Sequence, residues 1–396
     1  MSGLGLGAVV AHLGRTPRVE RLDQGACASP APNGIAVGST TVLIGVFPAA
    51  RLADLTMHGT PSARGRAAPP PSSAADRRNG ETPGMTTFGF DSTTDDVLGG
   101  RDLTNVNVVI TGTSAGLGVE TARALAVRGA TVVGVVRDPD KARRNLDEAG
   151  PRGVDLYEAD LASLASVRAF TDRFFADGHD RVDVLIANAG VMACPQATTA
   201  DGFELQFGTN HLGHFVLVNR LLPLLLTGPP SRIVTLSSAG HRFGNVSLDD
   251  PGFEHTPYEP WVAYGRAKTA NILFAVELDR RLGGRGVRAT AVHPGGIPTE
   301  LGRHLTDETL TALVAARGRR TVEWKSIPQG AATSVWAGFV APAAEVGGRY
   351  CEDCAVAPVI DNPEESPGVM RYALDPATAA ALWTRSEVLV GESFDP

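Results

Sequence analysis

Val106-Asn-Val-Val-Ile-Thr-Gly-Thr-Ser-Ala-Gly-Leu-Gly118 is the stretch that decides how this chain folds. A β-branched run ends at Thr111, glycines follow at 112, 116 and 118, and an amphipathic segment of helical length starts at Val119. A glycine-rich turn between a strand and a helix is suited to phosphate, because the backbone can approach closely and the helix N-terminus offers unpaired N–H groups. Gly112 would make the tight turn, Gly116 would admit a pyrophosphate, and Gly118 would let helix and strand pack closely.

Working outward, the same alternation of short apolar runs and helical stretches repeats. Strands are predicted over Val106–Thr111, Thr131–Arg137, Val154–Tyr157, Val182–Ala187, Arg232–Ser237 and Val287–His293. Helices fit at about 117–128, 139–149, 163–177, 203–227 and 262–283. Runs apolar on both faces point to buried parallel strands. Right-handed crossovers then give an α/β fold, a Rossmann-type doubly wound sheet of about seven strands.

Composition narrows the function classes. The 396 residues carry 36 basic and 43 acidic side chains, a net charge of −7, with no long run of one sign. That argues against nucleic acid or an anionic membrane as partner and favours a small molecule. Four cysteines are too few for a disulfide scaffold and suit a cytoplasmic setting. No apolar run approaches the ~20 residues needed to span a bilayer. Residues 1–84 differ from the rest: they hold 9 of the 27 prolines and 12 of the 45 glycines, with Phe47 as their one aromatic. A segment so poor in buriable side chains reads as an extension and linker, largely disordered, ahead of a catalytic domain over 85–396.

The turn's spacing of three residues and then one between its glycines, with Asp160 after the third strand and Asn188-Ala-Gly190 after the fourth, resembles the short-chain dehydrogenase/reductase family. The resemblance implies that Gly112, Ser114, Gly116, Leu117, Gly118, Asp160, Asn188 and Gly190 line a dinucleotide, with Asp160 facing adenine. Asp160 is otherwise readable as a cap for the helix that follows. Where the second strand ends, Val136 stands at the discriminating position and Arg137 follows, whose guanidinium could fork onto a 2′-phosphate. NADP(H) is therefore preferred. NAD(H) stays possible through Asp138, and Arg137 and Asp138 could also be a solvated pair at the start of a helix.

Tyr264-Gly-Arg-Ala-Lys268 carries the chemistry, in a chain with 3 lysines and 5 tyrosines. On a helix, positions i and i+4 share a face. An ammonium beside a phenol favours phenolate, so Tyr264 could act as acid or base near neutral pH. Tyr258 has Val262 four residues on and lacks such a partner. The family resemblance further implies that Ser238, with Ser237 as a substitute, orients the substrate oxygen. It implies that Asn210 bends the central helix and holds a water extending the proton path from Lys268, and that Thr299 in Pro294-Gly-Gly-Ile-Pro-Thr299 contacts the nicotinamide. His211 and His214 lack a third ligand at suitable spacing, so no metal is expected. Leu301–Lys325 reads as a helical lid, and Cys351 and Cys354 as cleft or surface residues.

Ser238 and Tyr264 lie 26 residues apart. That long separation, with Asn210-His-Leu-Gly-His-Phe215 and Ala267-Lys-Thr-Ala-Asn-Ile-Leu-Phe274, is similar to the retinol-dehydrogenase and WW-domain-oxidoreductase branch over about residues 100–390. The branch implies interconversion of hydrophobic aldehydes or ketones with alcohols, and relatives that pair through their two long helices imply a homodimer or homotetramer. Residues 38–59 resemble one repeat of the PAAR domain, a metal-bound spike tip, although His12, Cys27 and His58 fall short of a full ligand set. A disordered tail, or sequence upstream of a start at Met85, is the plainer reading of that segment. Two other functions compete with an enzyme: an idle dinucleotide sensor, and a secretion-tip fusion carrying the reductase as cargo.

Overall fold

The computed structural model describes residues 87–150, 153–303 and 323–395. The proposed extension, with its PAAR-like stretch at 38–59, therefore lies outside the described residues, as does most of the expected lid.

Eight strands form the main sheet: β1 (Asn107–Thr111), β2 (Thr131–Val136), β3 (Val154–Glu158), β4 (Val184–Ala187), β5 (Ser231–Leu236), β6 (Val287–His293), β7 (Tyr350–Glu352) and β8 (Ala355–Val356). Their order is β3-β2-β1-β4-β5-β6-β7-β8. The first seven run parallel and β8 returns antiparallel along β7. The sheet thus has the Rossmann topology expected from the sequence. Its order reverses between β1 and β4, which opens a crevice at their carboxyl ends. The glycine turn leaves β1 there, and Asn188 follows β4.

Alternation along the strands explains why both faces are covered. Val109, Leu185, Ile233 and Ala289 point into one core with Phe170, Phe215 and Phe274. Their neighbours Val108, Ile110, Val184, Ile186, Val234 and Val292 point into the other, with Leu125 and Val335. Continuous apolar strands are therefore required by sheet chemistry.

Helix ends follow capping chemistry. The helix Pro139–Ala149 begins after Asp138, whose carboxylate accepts from Lys141 N at 2.9 Å, and ends at left-handed Gly150. Leu164–Ala176 is capped by Ser163, and Pro260–Leu282 by Glu259 with proline at its first position. The expected helix at 203–227 is composite: Leu205–Phe207, a π-helical turn Gly208–Leu212, then Gly213–Leu226. A last helix, Pro376–Val390, lies over the groove between Gly213–Leu226 and Pro260–Leu282. Trp383 meets Phe215 edge-on at 5.1 Å and Phe274 at 5.9 Å, and the Arg281 guanidinium lies 4.2 Å above the Trp383 ring.

Candidate active site

Backbone geometry at the glycine turn fits a phosphate cradle. Gly112 is left-handed at φ +78°, its N–H donates to Val135 O at 2.8 Å, and a side chain there would strike Ala189. A Cβ on Gly118 would collide with the Gly112 carbonyl, so both positions require glycine. The helix they introduce, Gly116–Ala126, has no side-chain cap, unlike the helices capped by Asp138, Ser163 and Glu259. A helix start without a side-chain cap leaves its first N–H groups for an anion. Ser114 offers its carbonyl to Asn145 Nδ2 at 2.6 Å, Leu117 packs toward Gly330, and Thr299 Cγ2 would sit 3.2 Å from a Cβ on Gly116. The loop after β6 therefore closes against the glycine turn.

Asn188 Nδ2 donates to Thr111 O at 2.8 Å, and Ala189 N donates to Thr111 Oγ1 at 2.9 Å. These bonds join the ends of β1 and β4 across the switch point. Asp160 Oδ1 accepts from Ala162 N at 2.9 Å and closes a turn, while the cap itself is Ser163. The cap reading of Asp160 is thereby corrected. β2 stops at Val136, one residue earlier than expected, because Val136 is the last residue paired with β3. Arg137 is consequently exposed at the strand's mouth, whereas Asp138 is occupied as a helix cap.

Tyr264 and Lys268 share one face of Pro260–Leu282, with Lys268 Nζ 5.6 Å from the phenol ring centroid. Lys268 is 4% exposed and donates to Leu236 O at 3.0 Å. Burial pulls its pKa down to about 8. Two serines follow β5, and the structure separates them. Ser237 is buried and donates to Lys268 O at 2.9 Å, whereas Ser238 is half-buried and its Oγ accepts from Gly240 N at 3.0 Å. The Tyr264 ring edge lies against Gly240, where a Cβ would be 2.7 Å from Cε1 and 3.3 Å from Ser238 Oγ. The hydroxyl left open to a substrate next to Tyr264 is that of Ser238.

Asn210 sits in the π-helical turn, so the central helix is distorted at the expected place. Its side-chain amide is clamped to Val191: Oδ1 accepts from Val191 N at 2.8 Å and Nδ2 donates to Val191 O at 2.9 Å. A Cβ on Gly190 would be 2.9 Å from Asn210 Oδ1 and 3.6 Å from Lys268 Nζ, which brings Asn210, Gly190 and Lys268 together.

Sequence reasoning missed the polar groups beneath this site. His214 donates from Nδ1 to Asn210 O and accepts at Nε2 from the Thr111 hydroxyl, both at 2.9 Å. His211 bonds Ser386 Oγ at 2.9 Å. Burial holds the two imidazoles neutral, with pKa values near 3 for His211 and 4 for His214. The histidine spacing was visible in sequence, but its partners come from β1 and the last helix. Cys351 and Cys354 are corrected as well: both are buried in the core, where desolvation raises their thiols to about 12 and 11. Tyr350-Cys-Glu is a buried strand, and the side of Cys354 is covered by Thr333. Flanking the segment expected to be a lid, Glu300–Gly302 forms a 3₁₀ turn and Lys325 N donates to Gly296 O at 2.9 Å.

A family profile of short chain dehydrogenases matches residues 106–310. This chain belongs to the short-chain dehydrogenase/reductase family. It is 42% identical over 301 residues to retinol dehydrogenase 14 of Mus musculus, covering 72% of this chain and 85% of that one. It is likewise 42% identical over 284 residues to short-chain dehydrogenase/reductase prx1 of Penicillium roqueforti, covering 70% and 83%. A crystal structure of an uncharacterised protein from Mycobacterium paratuberculosis superposes at a TM-score of 0.60 with 38% identity, covering 77% of this chain and all of that one. The protein is thus an oxidoreductase of the retinol-dehydrogenase-like branch, built to use a nicotinamide dinucleotide. Among the described residues, no helix is long and apolar enough to cross a membrane.

Proposed function

We propose that this short-chain dehydrogenase/reductase interconverts a hydrophobic aldehyde or ketone and its alcohol, using NADP(H) and Tyr264 as acid and base. The observation that carries the reading is the surroundings of Tyr264. Ser238 and Lys268 are among its polar neighbours, while Met192, Ala193, Phe243 and Trp261 form an apolar cluster with its ring. Trp261 meets Tyr264 edge-on at 6.1 Å and Phe243 at 5.6 Å. A carbonyl carried on an apolar body could bury that body against the aromatic wall and leave its oxygen to Ser238 and Tyr264.

A nicotinamide dinucleotide, when bound, supplies or accepts the hydride. The protein's residues do the rest. The uncapped helix N-terminus and glycine turn would hold the dinucleotide's pyrophosphate, Asn188 and Gly190 shape the crevice, and Thr299 closes on the turn. Ser238 orients the substrate oxygen. Tyr264 gives that oxygen a proton in reduction and takes it back in oxidation. Lys268 favours the phenolate through its charge, and its own lowered pKa near 8 lets it share the proton near neutral pH. Arg137, exposed beyond β2, supports a 2′-phosphate and hence NADP(H). The small-molecule partner and a cytoplasmic location belong to the same proposal.

Tyr264→Phe tests the mechanism, because it removes the titrating hydroxyl and keeps the ring. Across a panel of apolar aldehydes and ketones followed by NADPH absorbance, turnover should fall about 10³-fold with dinucleotide affinity retained. Retained turnover would defeat the acid–base role, and wild-type protein that binds dinucleotide without turning over any substrate would favour the sensor.

A further inference from the structure

His241 is fully buried and every polar atom it has is in use. It lies in the 3₁₀ turn Ala239–Phe243, immediately after Ser238. Its Nε2 accepts from Met370 N at 3.1 Å, and a backbone N–H can only donate. The proton must then be on Nδ1, which lies 2.7 Å from Ser238 O, a group that can only accept. The two bonds together permit one form, the neutral Nδ1–H tautomer. The His241 carbonyl accepts from Tyr372 Oη at 2.8 Å and Thr269 Oγ1 at 3.1 Å, and Arg242 Nη2 donates to Gly368 O at 2.7 Å. Gly368, Met370 and Tyr372 thus grip the turn at alternate positions of one C-terminal segment. Glu352 secures that segment from behind by accepting from Gly368 N.

What this turn supports is the site. Ser238 Oγ is fixed by Gly240 N, and Gly240 carries the edge of the Tyr264 ring. A displacement of the turn would shift both groups relative to each other and to the substrate. We infer that His241 is a positioning residue: through its imidazole, residues 368–372 hold the Ser238 turn, and with it the Tyr264 ring, in reacting geometry. The inference rests on the roles proposed for Ser238 and Tyr264. Histidine is suited to the task because one planar side chain donates to Ser238 O and accepts from Met370 N, bridging two backbone segments that are far apart in sequence.

The test uses the full chain and three variants. His241→Ala should lower kcat about 10²-fold, the scale of a misplacement of about 1 Å, with NADPH binding unchanged. His241→Asn, whose amide N–H can reach the Ser238 carbonyl, should recover most of that loss. Tyr372→Phe, which removes one grip on the turn, should lower kcat severalfold with the same split between kcat and cofactor binding. A structural role alone would lower thermal stability in all three and leave kcat at 25 °C untouched, and that result overturns the inference. If His241→Ala does not fold, His241→Asn and Tyr372→Phe decide. A second readout needs no substrate: nitrogen-15 NMR of histidine-labelled protein, with the His241 signal assigned from the Asn variant, should show a neutral Nδ1–H imidazole at pH 7. The Nε2–H form or an imidazolium there overturns the inference. An inactive wild type would defeat the proposed function and, with it, the positioning role that rests on it, whereas an active wild type with unchanged kcat in the variants defeats the positioning role alone.

Discussion

Lys268→Met should make the protein more stable while disabling it. Lys268 keeps an ammonium in the interior, and burial pulls its pKa from 10.5 to about 8. At about 1.4 kcal/mol for each tenfold in acidity, holding that proton in the folded state costs about 3 kcal/mol. The variant forfeits the Nζ bond to Leu236 O, worth about 1 kcal/mol, but that carbonyl keeps Asn271 Nδ2 at 2.9 Å and is not orphaned. The net gain at pH 7 is therefore about 2 kcal/mol. Its pH dependence is fixed in sign. Between the folded pKa near 8 and the unfolded 10.5, the unfolded chain binds the extra proton, so wild-type stability rises with pH through that window. The methionine variant lacks this rise, and its advantage should be full below pH 8 and fade toward pH 10. Urea denaturation of both proteins at pH 7 and at pH 9.5 measures the two differences. A variant less stable than wild type at pH 7, or an advantage that does not shrink with pH, would refute the claim that the site stores energy in a desolvated lysine.

The two serines after β5 should separate by function. Each Ser→Ala change breaks one hydrogen bond, to Gly240 N for Ser238 and to Lys268 O for Ser237, and should cost about 1 kcal/mol of stability in a thermal melt, but Ser238→Ala alone is expected to lower turnover by about 10²-fold as well. Arg137→Ala should raise KM for NADPH well above any change for NADH, and equal changes for the two would remove the argument for NADP(H). Trp383→Ala empties a buried site against Phe215 and Phe274 and should cost about 3–5 kcal/mol in urea denaturation.

Strand and helix positions were legible because burial on both sheet faces writes itself as unbroken runs such as Thr131-Val-Val-Gly-Val-Val136, and the helix start at Pro139 matches the expected one, whereas the start at Pro260, behind the cap Glu259, comes two residues before the expected 262. Tyr264 and Lys268 were legible because helical periodicity is local. β7 was not, since three residues, Tyr350-Cys-Glu, have no period to detect and include a carboxylate. Glu352 is nonetheless buried, and desolvation lifts its pKa to about 7 while Gly368 N holds it. The roles of His211, His214 and His241 also escaped, whereas the bend at Asn210 in Gly208–Leu212 was expected from the family resemblance. In each case the partner, Ser386, Thr111 or Met370, is distant in sequence and brought near by topology alone. Choosing Ser238 over Ser237 required knowing which hydroxyl was already bonded.

Order of synthesis gives the helix Pro376–Val390 a further significance. Every parallel strand through β6 has left the ribosome by His293, and that helix follows roughly a hundred residues later, or about 5–20 s of translation. Until it emerges, the greasy channel floored by Phe215 and Phe274 stays open to solvent. A nascent chain at that stage is a natural client for holding chaperones, and truncations that stop short of Trp383 should accumulate as insoluble material even though every residue of the reaction centre has been made.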